Sequence, residues 1–479
     1  MTTTRSRSAA VLPRQLLLIC LALATARVSA GRAGELELIE VDPDATTALR
    51  EAGSNRPFVA VGVNYFGPDV GWAPKLWHSF DPDVVRRHLE MLHAQGYNTI
   101  RVFLTLDSFH RRQGEVHAEG VAKFRTLLEL CRQLGIRVIP CGPDHWEGIP
   151  EWRRGADPFA DERILRADEQ WWQVFVTEFK DEPAILAWDL LNEPSVQWDT
   201  RAMREKWNEW LEQKYGSIEN VVTAHGVPAD QVAEFGELEV PPSKANRNDA
   251  RLFDYQTFRE SIADQWTRRL IAAIRRGDDR HPITIGHIQW SSTVYLPGVQ
   301  HYSGFQLREN ACLTDFTTVH FYPLAVPRPC DGPAGIAHNA AYLEALLREC
   351  GSDKPVMIGE FAWYGGGDIR RDDRIVLPEQ SLEDQVAWNV KLLEVSRGRV
   401  CGWLHWAFAD TPSSLDLTRR SGLWTEDLQL KPWGRSFGEF ARDATVRVDP
   451  PRPIAAPAGG LDSDRRTALT DPNPRPQFE

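Results

Sequence analysis

The sequence predicts a (β/α)8 barrel, and three observations lead there. Eight short, nearly continuous apolar runs cross the chain at 57–66, 97–106, 136–142, 184–193, 282–290, 316–323, 355–363 and 400–408. Runs of that length and composition suit parallel strands buried on both faces. Amphipathic stretches of helical period separate them, and no glycine-rich phosphate loop follows any run, as a doubly wound open sheet of the nucleotide-binding type would require. Polar residues also gather at the C-terminal ends of the runs, the face on which such barrels build their sites.

The helical stretches follow in order. Residues 83–94 place Val84, Val85, Leu89 and Leu92 on one side and stop at Gly96, the residue that most readily ends a helix in the left-handed region. Residues 121–134 repeat the pattern and stop at Gly135. Residues 168–179, 252–274, 341–347 and 382–395 supply the remaining crossovers.

The two ends differ from the middle. Arg5, Arg7 and Arg14 precede an apolar stretch at 16–24, and Val28-Ser29-Ala30 offers small residues for cleavage. This pattern predicts a secretory signal peptide over 1–30, too short for an ordinary membrane span, and hence a secreted or periplasmic protein. Cys20 lacks the small residues that precede a lipid-modified cysteine. From Asp449 the chain is rich in Pro, Ala, Asp and Arg without periodicity, which predicts a disordered tail over 449–479. A catalytic domain is expected over 31–448.

Six cysteines remain after residue 30: Cys131, Cys141, Cys312, Cys330, Cys350 and Cys401. Their spacings form no zinc pattern. Cys141 and Cys401 read as buried strand residues, Cys312 and Cys330 could pair in an oxidising compartment, and connectivity stays open. The net charge of -12 argues against nucleic acid or an anionic membrane as partner. A monomer acting on carbohydrate, with no cofactor and no metal, is expected. The 18 tryptophans are numerous enough to serve both a large core and platforms for sugar rings.

Reading each strand end gives Asn64 and Tyr65 on the first, Arg101 within the second, and Asp144, His145 and Trp146 after the third. The fourth ends in Asn192 and Glu193, the fifth in His287, Gln289 and Trp290, and the sixth in His320 and Tyr322. Glu360 and Trp363 close the seventh, His405 and Trp406 the eighth. Glu193 ends the apolar run of WDLLNEP, where desolvating a carboxylate is costly. A lone glutamate there reads first as the partner of a cation, with Arg101 at hand. Two of them, three strands apart around an eight-strand ring, can meet across the mouth. Retaining glycoside hydrolysis needs carboxyl groups about 5 to 5.5 Å apart, one protonated to serve the leaving oxygen and one ionised to attack.

The motifs TIRV at 99–102, DHW at 144–146, NEP at 192–194, HFYP at 320–323, GEFAW at 359–363 and GWLHWAF at 402–408 resemble, in this order, clan A of the glycoside hydrolases. The likeness is strongest to family 5, the cellulase and mannanase family, and runs from Phe58 to Trp433. It implies Glu193 as acid/base, Glu360 as nucleophile and Asn192 as partner of the substrate 2-hydroxyl. It further implies Arg101 and Tyr322 as supports of Glu360, His320 as a positioning group, His145 as part of the reacting-ring subsite and Trp406 as its floor. Trp146, Trp290 and Trp363 are further platform candidates, though core packing accounts for them equally.

A long insertion at about 195–248 departs from family 5. Its WNEWLEQKYGSIENVVTAHG, with Trp207, Trp210 and Tyr215 near helical spacing, is similar to a segment of family 42 β-galactosidases. It could wall off one end of a cleft or form a surface helix pair on the barrel rim. The expected function is an exported retaining β-glycosidase for β-glucan or β-mannan, the alternatives being a β-galactosidase-like exo-enzyme or a transglycosylase. A catalytically inactive sugar-binding barrel is the reading of another class. A metal hydrolase built on His145, His287 and His320 lacks a ligand cluster in the sequence.

Overall fold

The computed structural model describes residues 36–68, 75–226, 234–243, 250–292, 303–324, 332–351 and 353–446. The signal peptide, the tail and Cys330 with its pairing lie outside them. No helix among the described residues is long and apolar enough to cross a membrane.

Three short antiparallel strands, β1 (Ile39–Val41), β2 (Leu49–Glu51) and β3 (Pro57–Phe58), open the chain. Eight parallel strands then close into a ring. They are β4 (Ala60–Asn64), β5 (Thr99–Thr105), β6 (Arg137–Asp144), β7 (Trp188–Asn192), β8 (Ile283–His287), β9 (Thr317–Phe321) and β10 (Val356–Phe361), with a last member after a hairpin. The hairpin is β11 (Gly367–Arg371) with β12 (Arg374–Gln380), and the last barrel strand is β13 (Gly402–His405), which pairs with β10 on one side and β4 on the other. All eight expected strands are present in the expected order, and β6 reaches two residues further than expected, to Asp144.

The helices are α1 (Pro82–Gln95), α2 (Leu106–Phe109), α3 (Ala118–Gln133), α4 (Glu162–Phe179), α5 (Arg201–Tyr215) and α6 (Ile218–His225). They continue with α7 (Ala250–Gly277), α8 (Gly332–Glu349), α9 (Leu382–Ser396) and α10 (Pro432–Val446). Local chemistry sets their ends. Asp81 caps α1 by accepting from the Asp83 and Val84 amides, with Pro82 in the first turn, and Gly96 at φ 90° stops it. Ser381 and Asp384 form a reciprocal capping box on α9. The sequence reading omits α10, although Trp433, Phe437, Ala441 and Ala444 are buried at helical spacing. It also omits the β11–β12 hairpin, whose strands are largely solvent-facing and whose one apolar run, Ile375 to Leu377, is short and mostly exposed.

The tryptophan excess goes largely to the layer between barrel and helices: Trp77, Trp171, Trp172, Trp188, Trp207 and Trp433 are fully buried. Cys131, Cys141, Cys350 and Cys401 are buried thiols. At the N-terminal end of the barrel, Ala60, Ile139, Met357 and Leu404 pack with Ile39 and Leu49 of the small sheet. That end is a closed apolar plug, which leaves the opposite mouth for polar groups. In the insertion, α5 and α6 form a helix pair lying on α7, with Trp207 against Tyr255 and Phe258.

Strand closure demands one close approach. A Cβ on Gly62 would lie 1.6 Å from the backbone oxygen of Thr99, its register partner on β5. Gly62→Ala is expected to destabilise the protein by at least the ~1–3 kcal/mol typical of overpacking, read as a lower urea midpoint. An unchanged midpoint would show that the strands can part at no cost.

Candidate active site

Arg101 stands in the middle of β5 with its side chain 1% exposed. Its Nε donates to Asp189 Oδ2 at 2.8 Å, and Nη1 donates to Glu360 Oε1 at 2.7 Å and Asn64 Oδ1 at 3.0 Å. Nη2 donates to Asn192 Oδ1 at 2.9 Å and faces Cys141 Sγ at 3.2 Å. A buried cation is tolerated only when so fully paired. Its pKa is raised against the effect of burial by Cys141, Asp189 and Glu360, so it stays charged.

Glu360, at the end of β10, is buried at 3% exposure. One oxygen takes the Arg101 bond; the other accepts from the Tyr322 hydroxyl at 2.6 Å. Burial, joined by the Glu193 carboxylate, leaves its pKa raised, against the pull of Arg101 and of the Tyr322 hydrogen bond. Burial also raises Tyr322 well above its ordinary value, so the phenol keeps the proton it donates.

Glu193 follows β7 in a different setting. Its side chain is 26% exposed, and its Oε1 meets His320 Nδ1 at 2.9 Å. Burial raises its pKa to about 7; the Arg101 charge opposes this and the Asp144 carboxylate adds to it. Its backbone adopts φ 46°, the left-handed region that costs a non-glycine residue ~1–3 kcal/mol and that clusters at functional sites. The Glu193 amide is anchored to Gly286 O at 2.8 Å.

One oxygen of each glutamate and one ring nitrogen of His320 lie within 4.8 Å of one another. Among the described residues this is the one grouping of three His, Cys, Asp or Glu donors so close. A metal ion there would meet the Arg101 guanidinium, which already supplies positive charge to Glu360.

Burial lowers the His320 pKa to about 4, so the ring is neutral near pH 7. Its Nε2 has no hydrogen-bond partner among the described residues. A Cβ on Gly286 would meet both Arg101 Nη2, at 2.7 Å, and His320 Nε2, at 3.0 Å. With a cation on that side, the ring proton belongs on Nδ1, from which it donates to Glu193 Oε1. Gly286 and Gly359 clear the space in which His320 sits.

The other expected residues divide into two groups. Asn192 joins the Arg101 network. Trp406 donates from its indole nitrogen to Thr418 Oγ1 at 2.8 Å and packs with Phe66 and Phe103, against which Tyr322 also rests. His145 is exposed, held at 2.5 Å by Asp144, and its pKa is raised chiefly by that hydrogen bond. It lines a cavity of about 530 Å³ beside Glu193, together with Asp144, Phe159, Leu191, Asn192 and Gln197. Trp363 lies in a separate cluster with Tyr364, Ile369 and Trp388, 3% exposed, and donates to Gln380. Trp290 packs half-buried against the main core, and Trp146 stacks on His145. His287 is fully buried between the Thr318 carbonyl and Asn310, apart from His145. Asp189, Cys141 and Gly286 were not singled out as site residues from the sequence. The one signal for Asp189 was a charge inside the apolar run that ends in NEP.

Two family models match the chain. The model described as cellulase, glycosyl hydrolase family 5, matches residues 44–227 and so includes Arg101, Asn192 and Glu193. The family 42 β-galactosidase model matches residues 159–363, taking in both glutamates and the whole insertion. No curated protein matches the chain. Among solved structures, an exo-β-1,4-mannosidase from Opitutaceae bacterium strain TAV5 is similar at 19% identity and TM-score 0.60, over 84% of this chain and 62% of that one. This chain thus spans less than two thirds of that mannosidase. A GH5_18 variant from Streptomyces cattleya, in complex with Manβ1-4GlcNAc, is similar at 18% identity and TM-score 0.58, over 86% and 88%. Gan42B, a GH42 β-galactosidase from G. stearothermophilus solved as a catalytic mutant, is similar at 14% identity and TM-score 0.66, over 86% and 60%. An eight-stranded parallel barrel, two partial family models that overlap on its fourth strand and a carboxylate pair at its mouth make the chain similar to glycoside hydrolases of families 5 and 42.

Proposed function

We propose that the protein is a retaining β-glycosidase in which Glu360 is the nucleophile and Glu193 the acid/base. The observation that carries this reading is the pair of carboxylates with one oxygen of each within 4.8 Å of the other, in keeping with the short separation of retaining enzymes. Their unlike environments support the division of roles. Arg101 and Tyr322 stabilise the carboxylate form of Glu360, while Glu193 holds its proton to about pH 7. If His320 donates to Oε1, the acid proton resides on Oε2.

Glu360 attacks the anomeric carbon as the bond to the leaving oxygen breaks, and Glu193 delivers its proton to that oxygen. Glu193, now a carboxylate, then takes a proton from water as the water attacks the glycosyl ester and frees Glu360. Asn192 accepts from Arg101 through Oδ1, which leaves its NH2 group as donor to the sugar 2-hydroxyl. The cavity beside Glu193 accommodates a sugar on the side away from Glu360.

β-Mannosides and other short β-linked oligosaccharides are the favoured substrates, in line with the mannosidase and the Manβ1-4GlcNAc complex among the similar structures. β-Galactosides are a second reading, supported by the family 42 match that spans both glutamates. Transfer to a sugar acceptor would use the same intermediate. Export rests on the pattern of residues 1–30, and a mature N-terminus at Gly31 would support it.

A panel of β-mannan, β-glucan, β-mannobiose and 4-nitrophenyl β-glycosides, with NMR of the first-formed anomer, tests the assignment. The product is expected to keep the β configuration, and Glu360→Ala to lose activity by several orders of magnitude. An inverted product, or an active Glu360→Ala, would overturn the mechanism. Glu193→Ala should spare the first step on activated aryl glycosides far more than on unactivated disaccharides, because a good leaving group needs no proton. Equal losses would remove Glu193 from the acid role. Because Glu193 must be protonated, kcat/KM for a disaccharide should fall as pH rises through about 7, approaching tenfold per unit above it. The same limb should be absent for Glu193→Ala on an activated substrate.

A further inference from the structure

Asp189 is 0% exposed and points into the barrel rather than the mouth, binding the far side of the guanidinium that holds Glu360. Its Oδ1 accepts from the Gly286 amide at 2.9 Å. Its register partner on β6 is Cys141, whose sulfur also faces Arg101. One cation therefore lies between two carboxylates on different strands, of which only Glu360 reaches the mouth. We propose that Asp189 is a positioning residue for the reaction, which fixes the Arg101 guanidinium and takes up part of its charge so that Glu360 is held ionised yet still reactive. This rests on the assignment of Glu360 as nucleophile.

The charge count explains the need. With Glu193 protonated and His320 neutral, Arg101 alone against Glu360 would make a closed ion pair. A carboxylate so paired is a poor electron donor, because attack must break the pairing. Asp189 leaves the buried group with one net negative charge. That charge favours both departure of negative charge from Glu360 and retention of the proton on Glu193. The groups of other strands that face Asp189 are Arg101 on β5, Cys141 on β6, His287 on β8 and His320 on β9, while Glu360 on β10 is linked to it through the shared guanidinium. The two histidines have lowered pKa values, and Arg101 stays charged, so the carboxylates are the groups that answer to a change at Asp189.

Asp189→Asn in the full chain removes one negative charge while keeping shape. The expected result on an active 4-nitrophenyl β-glycoside and on a disaccharide is a kcat at least tenfold lower. Both limbs of the pH profile should move to lower pH, by roughly one unit. Asp189→Glu, which keeps the charge, should leave the limbs in place. A folded Asp189→Asn variant with reduced kcat but unmoved limbs would make Asp189 a structural residue only and overturn the proposal. If that variant does not fold, Asn64→Asp places a second carboxylate on Arg101 Nη1; the limbs should then move upward, and unmoved limbs would again overturn it. Glu360→Ala, run alongside, separates the two questions, since activity there would sink the nucleophile assignment itself.

Discussion

A guanidinium buried inside a parallel barrel organises this molecule. Arg101 is too costly to bury unless every face of it is met, and its partners come from β4, β6, β7 and β10. Those bonds tie the ring of strands together at mid-height, just where polar residues replace the apolar plug formed with β1 and β2. They also bring Asn192 and Glu360, far apart in sequence, to fixed positions. Glycines at 286 and 359 leave the space that Arg101 and His320 occupy.

From this centre the two glutamates diverge. Glu360 is locked at both oxygens by a cation and a phenol, a setting that favours its ionised form. Glu193 is reached by a neutral imidazole and stands near the Asp144 carboxylate, a setting that favours the protonated form. Burial raises the pKa of both, and direct bonds to a cation and a phenol favour the charged form of Glu360 alone. The left-handed backbone at Glu193 places strain at the site itself, supported by its amide bond to Gly286.

The rim carries less of this order. Of the tryptophans at the strand ends, Trp406 is packed with Phe103 and Tyr322 beside the carboxylates, whereas Trp363 serves the base of the β11–β12 hairpin. The insertion spends Trp207 on contact with α7. Its helix pair is thus a built part of the wall, and the open volume beside Glu193 is shaped by the loop after β6 and by the first residues of the insertion, Ser195, Gln197 and Thr200.

Apolar runs and their period were enough to determine eight strands, their order and most of the helices, because burial on both faces leaves a local mark on composition. The same local logic exposed Glu193 and Glu360 as charges ending apolar strands, and family likeness attached roles to Arg101, Tyr322 and His320. The β11–β12 hairpin left no such mark, since most of its residues face solvent and only a few, such as Ile369, are buried. Asp189 was hidden for the opposite reason: within an apolar run, a charge can be recognised as paired only when its cation is seen, and Arg101 lies 88 residues away. The unlike protonation of the glutamates, the tautomer of His320 and the sorting of tryptophans between core and mouth were likewise decided by the tertiary structure. Each depends on distances between strands that no local stretch of sequence encodes.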